Sequence, residues 1–359
     1  MSNRVLRVAA LAAAILVALL LLAATYTVIA GPQPSPGGGP GLNKGPAASG
    51  AVAATSWSSG WTTIPPNGTH VFYHNLGRAP EEYAVEMLFR DVDGGLGIHR
   101  RFYGGATQGS SELGAHWPRL TANSLIVYRW KDDTAADQVL VRVWVPPTPP
   151  DYDSGWTSIQ AGRTITFAHS LGQTSTDLTV GLWFSSTVGS IHHFSYGGLV
   201  QSGPLLLGAY WHNLTDNTVR VTRLADDKNV DQVRVVVTRG DPPAYDSLLD
   251  RGGWQSVAPG ASVTCTHNLG VSPELLLVRS ECLSPDPALG IHQAFAGGEY
   301  DERISGWQGS NVQNLTENSV TVYRHAQDTV CPQVRVVVYG PSVEFRLYLP
   351  LVVKQHSAP

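Results

Sequence analysis

Histidine is the most regularly placed chemical group in this chain. One histidine opens the same phrase three times: His74-Asn75-Leu76-Gly77, His169-Ser170-Leu171-Gly172 and His267-Asn268-Leu269-Gly270. A second sits in Ile98-His99, Ile191-His192 and Ile291-His292, five residues before Gly104, Gly197 and Gly297. Imidazole can ligate a metal, act as a general base or brace a fold through hydrogen bonds. Zinc wants three or four converging ligands, usually two of them close in sequence. Here the paired histidines lie more than twenty residues apart, and the carboxylates near the Gly-Gly pair change from copy to copy. A catalytic triad needs a nucleophile beside its base, and no serine or cysteine recurs next to these histidines. Glycosidases need two facing carboxylates. The recurring acids (Asp132-Asp133, Asp226-Asp227, then Asp137 and Asp231, with Asp328 in the third copy) stand near Arg129, Arg223 and Arg324. Such acids are expected to pair with those arginines or polarise a turn, and they are too sparse for a calcium loop. The expectation is a non-enzyme with no metal and no cofactor. The His-x-Leu-Gly histidine should bond backbone at a tight turn, while His99, His192 and His292 are either structural or part of a ligand surface.

Sugar binding is the better-supported chemistry. A shallow sugar site combines an aromatic plane with a few planar polar groups. The sequence offers Tyr210-Trp211-His212-Asn213 and His116-Trp117, with His99 and His192 on the preceding strand. These seven residues (Trp211, His212, His192, Tyr210, Trp117, His116 and His99) are the candidate carbohydrate site. The third copy has Val312-Gln313 there, with Trp307 a few residues earlier. The alternative is that Trp117 and Trp211 are half-buried rim residues shielding the fold.

The elements that position these groups are visible by self-comparison. Gly60-Trp61 returns as Gly155-Trp156 and Gly253-Trp254, and the copies close alike on DQVLVRVWV, DQVRVVVTR and PQVRVVVYG. The copies span 57–147, 152–241 and 250–340. Hydrophobic residues alternate with period two, as in Ile165 and Phe167 or Leu178, Val180 and Leu182, and turn signals such as Asn67-Gly68 and Asp93-Gly94 divide each copy. The fold class expected is all-β: three tandem six-stranded antiparallel β-sandwich modules. Trp61, Trp156 and Trp254 are expected in the core. Pro146–Asp153 and Gly240–Arg251 read as short stiff linkers. Cys265 takes the place of Tyr73 and Phe167 as a small buried hydrophobe, and a Cys282–Cys331 bridge is allowed but not required.

The flanking segments are of a different kind. Arg4 and Arg7 precede an apolar run from Val8 to Ala24, and Val28-Ile29-Ala30 closes it. Residues 1–30 thus read as a signal peptide or a membrane anchor, which would place the chain outside the cytoplasm, secreted or at the cell surface. Residues 31–56 form a Gly/Pro-rich linker. Residues 341–359 form an apolar tail containing Tyr348-Leu349-Pro350-Leu351-Val352, either a surface-sorting segment or a strand covering a sheet edge. A net charge of −4 in 359 residues, without a basic cluster, gives no reason to expect nucleic acid, and three cysteines exclude a disulfide scaffold. Contact with a membrane is expected only through an uncleaved N-terminal segment.

Each copy resembles the H-type lectin module of snail agglutinins and slime-mould discoidins. The likeness rests on the Gly-Trp opening strand, the loop glycines Gly68, Gly162 and Gly260, Pro80 and Pro273 before strand three, and the Trp-His-Asn run before strand five. That resemblance implies six-stranded sandwiches that assemble as trimers and bind galactose or N-acetylgalactosamine. It also implies sugar contacts from the Trp-His pair, a fourth-strand arginine and a loop aspartate. Trp211 and His212 match that pattern. Trp117 is followed by Pro118, and His99, His192 and His292 stand where the arginine would be. Asn67, Arg163 and Ala261 stand near the aspartate's place. The resulting expectation is a surface adhesion protein that binds glycans, its copies either closing into an intramolecular pseudo-trimer or strung loosely on their stiff Pro-Pro linkers. The rival is a structural appendage protein whose modules only pack on one another.

Overall fold

A computed structural model describes residues 55–187, 189–201, 205–239, 242–301 and 304–340. The signal or anchor, almost all of the Gly/Pro-rich linker and the C-terminal tail lie outside the described residues. Period-two alternation becomes antiparallel strand throughout. In Gln232–Arg239 the valines at 233, 235 and 237 are buried while their neighbours are partly exposed, as a strand with one face on a core requires. Among the described residues helix is confined to short 3-10 turns and the four-residue Ser247–Asp250, whose first turn is capped by the Asp246 carboxylate accepting from Leu248 N–H.

The strands of the first copy form two sheets. One has the order Ser56–Thr63, Gln138–Trp144, Ala84–Arg90, Ile98–His99; the other joins Thr69–Tyr73, Ser124–Arg129 and Ala115–Leu120. A hairpin, Ala106–Gln108 with Ser111–Leu113, lies outside both. The second and third copies repeat these pairings strand for strand. Seven sheet strands and a hairpin in the first copy, and eight in the other two, whose opening strand is broken in two, stand where about six strands were expected. The extra pieces are the hairpin after the Gly-Gly pair and the two-residue Ile-His strand. Phe72, Met87, Phe89, Trp117, Val127 and Val141 share one core in the first copy, and the other copies have cores of the same kind.

Strand register corrects one alignment. Phe72 pairs with Leu125, Phe167 with Val219 and Cys265 with Val320, so Phe72, not Tyr73, is the counterpart of Cys265. Phe72 and Cys265 are buried, whereas Tyr73 is 67% exposed because it points to the opposite face. Cys282 and Cys331 form a disulfide, and Cys265 is a free buried thiol.

The linkers are structured too. Tyr152–Asp153 pairs with Val237 and Val236, and Tyr245–Asp246 pairs with Val338 and Val337. Asp153 holds Arg234 and Asp246 holds Arg335, the latter at 2.6 Å. Each linker thus adds a short edge strand to the sheet that follows.

Backbone hydrogen bonds tie the copies into a ring. His193 N–H donates to Trp117 O at 3.0 Å, Gln293 N–H to Trp211 O at 3.2 Å, and Arg100 N–H to Val312 O at 2.9 Å. A second set runs from Ser195 to Gly104, Phe295 to Gly197 and Phe102 to Gly297, at 2.9, 2.7 and 2.8 Å. In both sets the second copy donates to the first, the third to the second, and the first to the third. Between the first two copies the sheets merge: Ile191 pairs with Leu120, so one sheet runs from Tyr152–Asp153 across to Thr69–Tyr73. The opening tryptophans belong to these seams. Trp61, Trp156 and Trp254 are half-buried and pack against clusters in which a neighbouring copy's core meets residues of their own copy, Leu88 and Leu140 in the case of Trp61.

Candidate functional site

The residues that carried the sugar expectation converge on the seams. Trp117 is wholly buried and Trp211 is 1% exposed. Each sits on the strand that receives its neighbour's backbone bonds. In the first seam, Trp117 Nε1 donates to the Tyr103 hydroxyl at 3.0 Å, and that hydroxyl lies 2.8 Å from His193 Nδ1 of the second copy. The His193 ring lies over Trp117 with centroids 4.2 Å apart. In the second seam, Gln293 Oε1 accepts from Trp211 Nε1 at 3.0 Å and from the Tyr196 hydroxyl at 2.6 Å. The third seam places Val312 and Ala296 at the same two stations, with Arg100 stacked over Tyr103 at 4.6 Å.

The histidines are buried with them. His99, His192 and His292 each use Nε2 on a backbone carbonyl (Ala135, Asn229 and Val330, at 2.9, 3.0 and 2.9 Å). Each accepts a backbone N–H on Nδ1 from two residues further on. With both nitrogens engaged, these rings brace the loop that carries the inter-copy bonds. His116 Nδ1 accepts from Trp130 Nε1 at 2.7 Å, and its ring packs on Phe194 of the second copy. His212 lies 2.9 Å from Ala288 O of the third copy and 2.9 Å from Thr222 Oγ1. Tyr210 beside it is half-buried. The structure spreads the seven expected residues over three seams, with Trp117, His116 and His192 at the first, Trp211, His212 and Tyr210 at the second and His99 at the third, and it buries both indoles. The open aromatic plane expected at Trp211 and Trp117 is not formed: both indoles are buried, His193 lies over Trp117 and Gln293 bonds the Trp211 N–H.

Burial sets the charge state of the cluster. Desolvation lowers the histidine pKa values, holding His116 at about 3 and His292 at about 4, with His192, His99 and His212 lowered as well. Neutral imidazoles with occupied nitrogens are struts. The histidines of the His-x-Leu-Gly phrase engage one nitrogen only: His74, His169 and His267 accept on Nδ1 from Leu76, Leu171 and Leu269 N–H at 3.4 Å.

Two devices hold the seam loops in shape. Arg129, Arg223 and Arg324 each donate Nε to an aspartate (Asp133, Asp227, Asp328) at 2.8, 2.8 and 2.7 Å, and each also bonds two backbone carbonyls. Those aspartates accept Gly114, Gly208 and Gly309 N–H in turn. The three glycines have positive φ, and a Cβ on any of them would collide with the carbonyl of Phe102, Ser195 or Phe295. These three are themselves left-handed, at φ 58°, 57° and 54°, and they are the residues that donate across the seams.

Sequence reasoning missed Arg100, His193 and Gln293, and Tyr103 and Tyr196. Their signal was positional: each of the first three directly follows a recurring Ile-His pair, and each tyrosine directly precedes a Gly-Gly pair. They face a cleft of about 720 Å³ walled by all three copies. Among the described residues no group of three or more His, Cys, Asp or Glu could hold a metal ion.

Comparison with family models, curated proteins and solved structures finds no match.

Proposed function

We propose that this chain is an exported, non-enzymatic surface protein whose three copies act as one rigid head, a covalent pseudo-trimer of lectin-like sandwich modules. The observation that carries this reading is the use of Trp117 and Trp211 as seam anchors: side chains suited to ligand stacking are spent on the neighbouring copy. The closed set of backbone bonds supports it, since each copy both donates and accepts, as a ring with heterologous contacts requires. Linking the copies covalently keeps their effective concentration in the millimolar range, so individually weak seams can hold. The basic start and apolar run at the N-terminus support export, and N-terminal sequencing of native material tests it: a first residue near Gly31, or a membrane-tethered Met1, fits. Small-angle scattering on residues 56–340 tests the head. A compact profile is expected, and an extended one with a long maximum dimension overturns it.

A second reading, glycan recognition, is favoured by the half-buried Trp144, Tyr196 and Tyr339 in the shared cleft. A glycan array probed with residues 56–340 tests it.

A further inference from the structure

The cleft sits where the three large sheets face one another, and equivalent strand positions there differ in chemistry. Register aligns Glu86, Gly181 and Arg279, each opposite the same position of the last strand in its copy (Arg142, Val236 and Val337). It also aligns Trp144, Thr238 and Tyr339 at the mouth. A cleft that only filled space would be apolar at these stations. Instead it holds four arginines, and three of them are matched. Arg100 lies 3.4 Å from Glu86, Arg234 is clamped by Asp153, and Arg239 by Asp151 at 2.6 Å. Glu82, on the first copy's side, faces Arg78 at 3.9 Å. Arg279 lines the same cleft, is half-buried, and has no ion-pair partner among the described residues. Its charge is felt at the Tyr196 hydroxyl alongside that of Arg100. The acid that feels it, Glu281, is already held by Arg335 at 3.1 Å, which leaves Arg279 a fork of donors in a fixed plane that matches a carboxylate.

We infer that this cleft is a binding site for an acidic sugar: a carboxylated hexose unit whose carboxylate meets Arg279 and whose apolar ring face lies on Tyr339. The volume of about 720 Å³ lies within the range of ligand sites, roughly 300–1,000 Å³, and suits a short oligosaccharide. Aromatic faces with a polar rim suit the alternating apolar and hydroxylated faces of a pyranose. The Thr179 and Tyr339 hydroxyls, 3.2 Å apart across two copies, and Gln293 add neutral donors and acceptors. The inference rests on the glycan-recognition reading and narrows it to one charge class and one place, away from the buried tryptophans.

Calorimetry on the full chain with trigalacturonate, and with its neutral methyl ester as the matched probe, tests it. Binding of the acid form is expected, with the ester bound about tenfold or more weaker. Arg279→Gln should remove that preference, bringing the acid down to about the affinity of the ester. Arg279→Lys, which keeps the charge but loses the fork, should retain part of the preference. Tyr339→Ala should weaken both probes. Equal binding of acid and ester, unmoved by either Arg279 variant, overturns the acidic-sugar assignment while leaving glycan recognition standing. Binding of neither probe, with an array that stays blank, overturns both. Preference for the acid that survives in Arg279→Gln and is lost in Arg100→Gln moves the site and overturns the role of Arg279.

Discussion

The indole N–H of Trp211 donates to Gln293 Oε1 at 3.0 Å, and the two residues come from different sequence copies. The same oxygen accepts from Tyr196, so a single amide joins the tryptophan and the tyrosine of the second copy to the third. Trp211→Ala is therefore expected to destabilise the head by about 3–5 kcal/mol, as removal of a buried indole does. Urea unfolding checks this. A variant of unchanged midpoint that has lost only ligand binding would return Trp211 to a surface role.

The Arg129–Asp133 pair is buried on both sides, with side chains 4% and 2% exposed. Asp133→Asn should cost about 3 kcal/mol, because the buried guanidinium then keeps only the partly exposed Asp137, 3.1 Å away, as its anion. The penalty should be far larger than for Glu82→Gln, whose partner Arg78 is more than half exposed. Thermal melts of the two variants side by side give the comparison; equal shifts would remove the clamp from the account.

The Cys282–Cys331 bridge closes a sequence separation of 49 residues, and both cysteines are buried. Cross-linking a loop of that length restricts the unfolded chain by about 4 kcal/mol. The double Cys→Ala variant is expected to unfold at lower denaturant, with the loss falling on the third copy first. Hydrogen exchange resolved by segment measures this, and uniform loss across all copies would show that the ring opens as one unit.

Stability should fall in acid through the buried histidines. His116 is held at about 3, and His292 and His325 at about 4, all chiefly by desolvation. In the unfolded chain a histidine protonates near pH 6.5. Between those values the unfolded state binds more protons than the folded one, so stability is intact above about pH 6.5 and drops as pH falls toward 4. His116→Gln, whose amide oxygen can still accept from Trp130, should make the decline shallower. Denaturation midpoints taken from pH 7.5 to 4 test this; parallel profiles for the variant and the parent chain would exclude His116 as a contributor.

The local grammar of this chain was legible in its residues. Alternating Val, Thr and Ile settle strand faces, paired glycines mark a turn that only positive φ can make, and an arginine four residues before an aspartate finds it without help from distant chain. The all-β antiparallel architecture and the Arg–Asp clamps follow from such short-range rules. Exposure does not. Trp211 reads equally well as a sugar platform or a seam anchor until Gln293, 82 residues away, is seen to cover it. Arg100, His193 and Gln293 occupy one station in three copies, marked only by the Ile-His pair before them, and share no chemistry that would announce a role. Tertiary structure decided which faces remain open, because burial depends on what the neighbouring copy brings to the seam, and that is a property of packing rather than of spacing.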